Sequence, residues 1–237
     1  QSNWDGNLED IRITKGLCRY PFTLPNETVS NTSATKLIAC HDSTVTTDGT
    51  GTHTITAYGN AASIAFGPHS AMRSTYFDGT GDYLEVDNST EFQHSTNDNL
   101  SIDFWMYYTG GSGTRNIVDN RGNANGYAFQ LLSDNTVGIY SEPAAGYVHT
   151  STALDERKWY HIVYSRVSGT SYMFVNGALA GAGVADTNNY TSQSIVIGAR
   201  HSKDQQYYTG YVSNFRVVQG ASLFPNSFTP PTAELTA

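Results

Sequence analysis

The chain has 237 residues, a length that allows one large β domain or two small ones. Its formal net charge of −8 argues against nucleic acid as a partner, because binding to phosphates needs a basic surface. No apolar run approaches the ~20 residues of a membrane-spanning helix, and no signal peptide opens the chain. The low content of charged residues, 14%, together with many Gly and Tyr residues, is more typical of extracellular β-proteins than of cytosolic enzymes.

The first 25 residues resemble the end of the chain. Residues 5–25 and 209–231 share a strand, a glycine turn, an aromatic segment and a Phe-Thr-x-Pro exit, which is internal similarity at long spacing. The matched positions include Gly6 with Gly210, Arg12 with Arg216, Gly16 with Gly220, Tyr20 with Phe224 and Phe22 with Phe228. The unit is too short to fold alone. It is either the last strand of a preceding domain or a strand that the chain uses in a neighbouring copy.

Short strands follow one another after a polar linker that ends near residue 34. Turn signals separate them, including Asp78-Gly79 and Asn176-Gly177. The predicted strands are 35–40, 53–58, 76–77, 82–86, 101–108, 115–120, 126–132, 136–140, 159–167, 171–175, 194–199 and 211–218. No amphipathic helix of three turns is recognisable. More than ten short strands predict an all-β sandwich of two antiparallel sheets.

The segment 101–108 is predicted to be a central strand of this sandwich. Its residues alternate with a period of two, which gives the strand two distinct faces. Aromatic and β-branched residues dominate the segment and suit a pleated surface. Side chains as large as Trp105 need to be covered by another layer.

Six motifs carry a resemblance to a known family. They are YFDGTGDYL (76–84), SIDFW (101–105), WYHIVYSR (159–166), FVNG (174–177), IGAR (197–200) and GYVSNFRV (210–217). In this order they resemble the laminin G-like, concanavalin A-like jelly rolls, in the variant common in bacterial and phage surface proteins. The arm and the Phe-Thr-Pro-Pro exit resemble tandem copies in marine-phage virion proteins. The resemblance implies an arm and linker at 1–34, one complete domain at 35–231 and a tail at 232–237.

Asp78, Asp82 and Asn214 are the best candidates for a metal site. Calcium takes several oxygen ligands, and a glycine-rich loop such as 78–82 lets backbone carbonyls turn inward. The family resemblance implies a structural calcium ion near this loop in some members, although copies often carry an acid where Ser213 stands here. The alternative is that Asp78 only makes a turn.

The carboxylate pattern of a glycosidase is missing from the sequence. Relatives with that activity need two carboxylates about two residues apart on one strand, as nucleophile and acid. Glu9-Asp10 and Asp155-Glu156 are adjacent and would face opposite sides of a strand. His161 is interpreted either as a ligand-contacting imidazole or as an ordinary strand residue. Trp105 and Trp159 are expected in the core, and the alternative is that they are platforms for sugar rings.

Loops and strand ends hold the candidate ligand-binding residues. Aromatic faces together with amide and guanidinium donors suit sugar recognition, and the alternative is a polar surface rich in Tyr. The candidates are Arg121, Asn123, Asn125, Tyr127, Tyr147, Arg200, His201, Tyr207 and Tyr208. The two cysteines, Cys18 and Cys40, either form a disulfide that pins the arm or remain two thiols.

The predicted function is a non-enzymatic module at a cell or virion surface. It would serve assembly, adhesion or glycan recognition, with the arm adding as a strand to another copy in a head-to-tail arrangement. The alternative from a different class is an exported carbohydrate-active enzyme, and a third interpretation is purely structural.

Overall fold

The computed structural model describes residues 34–96, 98–122, 125–142, 146–150, 152–224 and 226–234. The predicted arm strand and Cys18 therefore lie outside the described residues, as does Asn123. Within the described residues no helix is long and apolar enough to cross a membrane.

Sixteen strands make up almost all of the regular structure in the described part of the chain. They are β1 Thr35–Ala39, β2 Ile55–Tyr58, β3 Ala62–Ile64, β4 Ser74–Asp78, β5 Tyr83–Val86, β6 Leu100–Tyr108, β7 Arg115–Asp119, β8 Tyr127–Leu131, β9 Val137–Ser141, β10 Gly146–His149, β11 Tyr160–Val167, β12 Thr170–Val175, β13 Ala178–Leu179, β14 Val184–Ala185, β15 Ile195–Ile197 and β16 Thr209–Gln219. A single 3₁₀ turn, Thr90–Phe92, is the helical element of these residues.

The strands form two antiparallel sheets, which confirms the predicted jelly-roll sandwich. Sheet A has nine strands in the order β13-β12-β11-β6-β16-β4-β3, with β1 beside β16 and β14 beside β12. Sheet B has seven strands in the order β10-β9-β8-β7-β15-β5-β2. Four strands were not predicted from the sequence: β3, β10, β13 and β14. They have two to four residues each, too few to establish an alternation.

The strand predicted as central, β6, lies in the middle of sheet A between β11 and β16. Ile102, Phe104 and Met106 are fully buried between the sheets, where the ring of Phe104 meets that of Phe129 from sheet B edge to face at 5.2 Å. This edge-to-face arrangement is the favoured geometry for aromatic pairs.

The opposite face of β6 carries a buried ionic network. Arg216 Nε and Nη2 donate to the two carboxylate oxygens of Asp103 at 2.8 and 3.0 Å, and His161 Nε2 lies 3.2 Å from Asp103 Oδ2. Burial alone would raise the pKa of Asp103, but Arg216 and His161 hold it below its ordinary value. His161 is therefore a buried strand residue that contacts Asp103 and is not available to a ligand at the surface.

The segment after β16 covers this network. Phe224 and Phe228 pack against His161, with ring centroids 6.1 and 5.7 Å from the imidazole. Phe228 N–H donates to the carbonyl of Gly177, where a Cβ atom would lie only 1.8 Å from the Phe228 oxygen. The predicted Asn176-Gly177 turn thus needs glycine both for its positive φ of 78° and for this close approach.

Candidate functional site

One row of paired residues crosses the outer face of sheet B. Leu84, Ile197 and Phe129 belong to the core, so their chain neighbours on the strands face outward. The strand register aligns these neighbours across the sheet as Thr56, Glu85, Val196, Asp119, Ala128 and Tyr140. The row places an acid, Asp119, in the middle of the face.

The loop between β15 and β16 lies over this row. His201 N–H donates to Asp119 Oδ2 at 3.2 Å, and the Lys203 ammonium contacts Glu85. Lys203 N–H donates to the Arg200 carbonyl at 2.8 Å, which closes a turn within the loop. The loop is thereby attached to two strands of the sheet, and its side chains form one wall of a depression.

This depression, called here the groove, has a volume of about 280 Å³. Its lining is almost entirely polar and comes from the end of β7, the residue after β9 and the loop after β15. The lining residues are Asp119, Arg121, Gly122, Glu142, Arg200, His201 and Ser202.

The ion pair between Asp119 and Arg121 forms the floor of the groove. Arg121 Nε and Nη2 donate to the two carboxylate oxygens of Asp119 at 3.0 and 2.8 Å, and Arg121 N–H donates to Oδ1 at 2.9 Å. With the bond from His201, four N–H donors point at one carboxylate whose side chain is 1% exposed. Asp119 is thus a buried anchor, and its oxygens are already engaged.

Arg121 also contacts the far wall of the groove. Its guanidinium carbon lies 5.1 Å from the ring centroid of Tyr140, and Nη1 lies 3.7 Å from Glu142 Oε1. Burial alone would lower the pKa of Arg121, but the hydrogen bonds and charge of Asp119 raise it above its ordinary value. Arg121 therefore keeps its charge, but two carboxylates and an aromatic ring already surround it.

His201 is held in a neutral form beside this pair. Burial lowers its pKa, and the charge of Asp119 opposes the shift only in part. Its Nε2 lies 2.6 Å from Ser194 Oγ. A Cβ atom on Gly122 would lie 2.4 Å from this Nε2, so glycine at 122 leaves the space that the imidazole occupies.

The structure brings three of the sequence-predicted ligand residues together. Arg121, Arg200 and His201 line the groove, although 79 positions separate the first two in the chain. Tyr127 and Tyr208 are fully buried, which corrects their assignment to a ligand surface. Tyr127 begins β8 and Tyr208 immediately precedes β16, and both rings lie in the core.

The remaining candidates lie nearby or outside the described side chains. Tyr207 is in the same loop, where its hydroxyl donates to the Lys203 carbonyl at 2.5 Å. The Asn125 carbonyl accepts the N–H groups of Thr191 and Ser192 at 2.9 and 3.0 Å, so this residue fastens a loop. The backbone of β10 pairs Tyr147 with Tyr140, and Asn123 lies outside the described residues.

Sequence reasoning missed Asp119, Tyr140, Glu142 and Ser202. One signal was present for the first of these. Asp119 and Arg121 are two positions apart at the end of a predicted strand, and residues i and i+2 of a strand share a face. Glu142 and Ser202 reach the groove only through the sheet register and the loop path, which the sequence does not state.

The predicted calcium ligands do not form one site in this structure. Asn214 sits in a bulge of β16, where its N–H donates to the Cys40 carbonyl, whereas Asp78 pairs with Thr209 at the start of the same strand. Asp82 is fully buried, and its carboxylate accepts the N–H groups of Asn60 and Asp78 at 2.7 and 2.9 Å. Among the described residues no three His, Cys, Asp or Glu side chains gather in a metal-binding geometry. The Thr80 N–H donates to Asp78 Oδ1 at 2.6 Å, which agrees with the interpretation that Asp78 makes a turn.

Cys40 is a free, buried thiol beneath the bulge of β16. Burial raises its pKa to about 12. The disulfide to Cys18 stays a prediction. Cys18 itself is outside the described residues.

A family model described as the concanavalin A-like lectin/glucanases superfamily, in its laminin G form, matches residues 78–222. This range covers more than half of the chain and includes β5 to β16. The chain belongs to the concanavalin A-like superfamily. No curated protein matches the sequence.

Solved structures share the concanavalin A-like sandwich of this chain at low identity. The botulinum neurotoxin serotype D binding domain is 14% identical with a TM-score of 0.63, over 80% of this chain and 48% of that one. A botulinum neurotoxin type C structure, whose title states that cell entry depends on two ganglioside molecules, is 13% identical with a TM-score of 0.61, over 85% and 50%. A binding domain of botulinum neurotoxin DC in complex with SialylT is 15% identical with a TM-score of 0.59, over 80% and 48%. The chain spans about half the length of these proteins, and the likeness shows the shared fold.

Proposed function

We propose that this chain is a glycan-binding module and that the groove on the outer face of sheet B is its binding site. The observation that carries the proposal is a recess of about 280 Å³ lined by Arg121, Glu142, Arg200, His201 and Ser202. Sugars are recognised by planar polar groups that pair with adjacent sugar hydroxyls. The contacts of His201 with Asp119 and of Lys203 with Glu85 hold the loop that carries these groups in place. The ganglioside and SialylT named for the structural neighbours agree with this class of ligand.

We propose binding without catalysis because the described lining of the groove offers fewer than two available carboxylates. Asp119 and Glu142 both line it, but Asp119 accepts four N–H groups and its side chain is 1% exposed. Of the two carboxylates in the described lining, Glu142, with a side chain 44% exposed, is the one open to a ligand. A glycosidase needs a nucleophile and an acid at the same bond, so the enzyme alternative has one candidate carboxylate where two are required.

A glycan array with a groove-blocking variant tests the proposal. Ser202 is exposed on the groove wall and bonds to a nearby carboxylate, Asp204. Ser43 is exposed outside the groove and bonds in the same way to Asp42, so Ser43→Trp is the matched control. We expect the wild type and Ser43→Trp to bind the same glycans and Ser202→Trp to lose them. Absence of binding by the wild type, or equal binding by Ser202→Trp, would contradict the proposal.

We further propose that the module is displayed outside the cell or on a virion and that its arm completes a sandwich in another copy or repeat. The contacts of 209–231 support the proposed role of the arm. A Cβ atom on Gly210 would lie 2.1 Å from the backbone oxygen of Tyr107, so this position needs glycine. Gly220 has a positive φ of 80°, and Arg216 binds Asp103. These three positions match Gly6, Gly16 and Arg12 in the arm, so the arm carries the residues that a closing strand needs toward the rest of a sandwich.

Light scattering of the purified chain tests this second part. The full chain should form assemblies, a chain beginning at residue 31 should be a folded monomer, and Arg12→Ala should weaken the assembly. A monomeric full chain at high concentration would contradict the assembly proposal and leave the groove proposal unaffected.

A further inference from the structure

Three basic side chains belong to the groove or to the loop beside it, and they differ in their partners. Arg121 is bonded by both arms of its guanidinium to Asp119 and lies near Glu142. Lys203 contacts the carboxylate of Glu85 and lies over the ring of Tyr83, 5.9 Å from its centroid. Each of these two cations is thus already compensated by a carboxylate of this chain.

Arg200 has no such compensation within the described residues. Its guanidinium makes no hydrogen bond, ion pair or ring contact with any of them, although the side chain lines the groove. Its backbone is nevertheless held in position. The Arg200 carbonyl accepts the N–H of Lys203, and the next residue, His201, donates its N–H to Asp119. The side chain therefore extends from a fixed point while its five donors remain available.

An uncompensated guanidinium in a recess is suited to an oxyanion. Arg presents a rigid planar fork that binds two oxygens of a carboxylate or sulfate group at once, and such charge-assisted bonds are the strong ones. The whole chain has a net charge of −8, so this cation is not part of a general basic surface that would attract any polyanion.

We propose that the groove selects acidic saccharides and that Arg200 binds their charged group. The inference rests on the proposed glycan-binding function and adds the ligand class to it. The Glu142 carboxylate and the Ser202 hydroxyl can bond to the hydroxyl groups of the neutral part of the sugar. Arg121 remains engaged with Asp119. The shared chemistry is an oxyanion on a sugar ring, as a carboxylate in sialic and uronic acids or as a sulfate ester.

Binding measurements with matched neutral and acidic sugars test the selection of acidic saccharides separately from glycan binding itself. The probes are lactose, sialyllactose, sulfated lactose and a pair of glucose and glucuronic acid oligomers, measured by array and then by calorimetry at two salt concentrations. The variants are Arg200→Ala and Arg200→Lys, with Lys158→Ala and Arg157→Ala, both at exposed residues, as controls that remove one positive charge elsewhere.

We expect the acidic member of at least one pair to bind about tenfold or more tightly than its neutral counterpart, and less tightly at high salt. Arg200→Ala should remove this preference and Arg200→Lys should restore part of it, while both controls keep it. Carboxylated and sulfated probes show which oxyanion is preferred. Equal binding of neutral and acidic members, or a preference that survives Arg200→Ala, would overturn the inference and leave the groove as a neutral-glycan site. Binding of no glycan by the wild type would overturn the proposed function as well.

Discussion

Arg216 of the closing strand β16 holds Asp103 of the central strand β6 by two hydrogen bonds, at a place where both side chains are 1% exposed. The pair joins the last strand of the chain to the middle of sheet A. It also ties the C-terminal segment to the sheet, because the guanidinium lies 5.8 Å from the ring centroid of Phe224. The internal similarity places Arg12 at the corresponding position of the arm.

Removal of one member of this pair should destabilise the domain strongly. Arg216→Met leaves the Asp103 carboxylate buried without its guanidinium, which costs about 3–5 kcal/mol of unfolding free energy in comparable cases. The double variant Asp103→Leu/Arg216→Met should recover much of this loss, because it removes both charges. Urea unfolding measures both variants. The exposed pair Lys158 and Asp155 is the control, and Lys158→Met should leave the unfolding midpoint unchanged. A small effect of Arg216→Met would contradict the role assigned to the pair.

His94 should make the protein less stable as the pH falls below neutrality. Burial, with a smaller contribution from Arg166, lowers the pKa of His94 to about 3. The unfolded chain binds the proton below about pH 6.5, so the stability due to neutral His94 is complete above that pH and is lost as the pH falls toward 3. His94→Phe should reduce the difference in unfolding free energy between pH 7.5 and 5.0 by about 2 kcal/mol. The same pH dependence in wild type and variant would refute this assignment.

Calcium should not affect stability if the turn at 78–82 is held by hydrogen bonds alone. Two backbone N–H groups point at the Asp82 carboxylate, and Asn214 lies elsewhere on β16. We expect the melting temperature to be the same with excess calcium and with EDTA, since a ligand of the folded state would raise it by mass action. A fall in melting temperature with EDTA, reversed by calcium and abolished in Asp82→Asn, would restore the calcium hypothesis.

Cys40 should be inert in the folded protein. Its sulfur is buried and its pKa is raised to about 12, so the reactive thiolate is scarce at neutral pH. In a Cys18→Ser variant, Ellman's reagent should detect no thiol under native conditions and one thiol in denaturant. Rapid reaction of the native variant would contradict the burial of Cys40.

The fold could be predicted because its signals are local. The alternation of 101–108 predicted a strand, and the Asn176-Gly177 turn predicted a hairpin, and the structure contains both. The Asp78-Gly79 signal for a hairpin was wrong, because β4 and β5 on its two sides belong to different sheets. The candidate site was harder to predict from the sequence, because the register of sheet B decides which side chains meet. Arg121 and Arg200 were predicted by residue type, but Glu142 reaches them only through strand pairing. The burial of Tyr127 follows from a one-residue choice of face, which flips every side chain of a strand.

A second surface of the molecule is an alternative candidate for sugar binding. Phe66, Tyr107, Trp159 and Tyr211 form a cluster on the outer face of sheet A, with Phe66 4.9 to 5.4 Å from the other three rings and 38% exposed. Aromatic faces also bind sugars, but the charged groups that the proposal invokes are on sheet B.

A crystal structure of the complex with the tightest glycan from the array tests the central claim most directly. The account predicts sugar density in the groove, with hydroxyls within hydrogen-bond distance of Glu142 and Ser202 and an acidic group on Arg200. Density over Phe66 and Trp159, with an empty groove, would contradict the account.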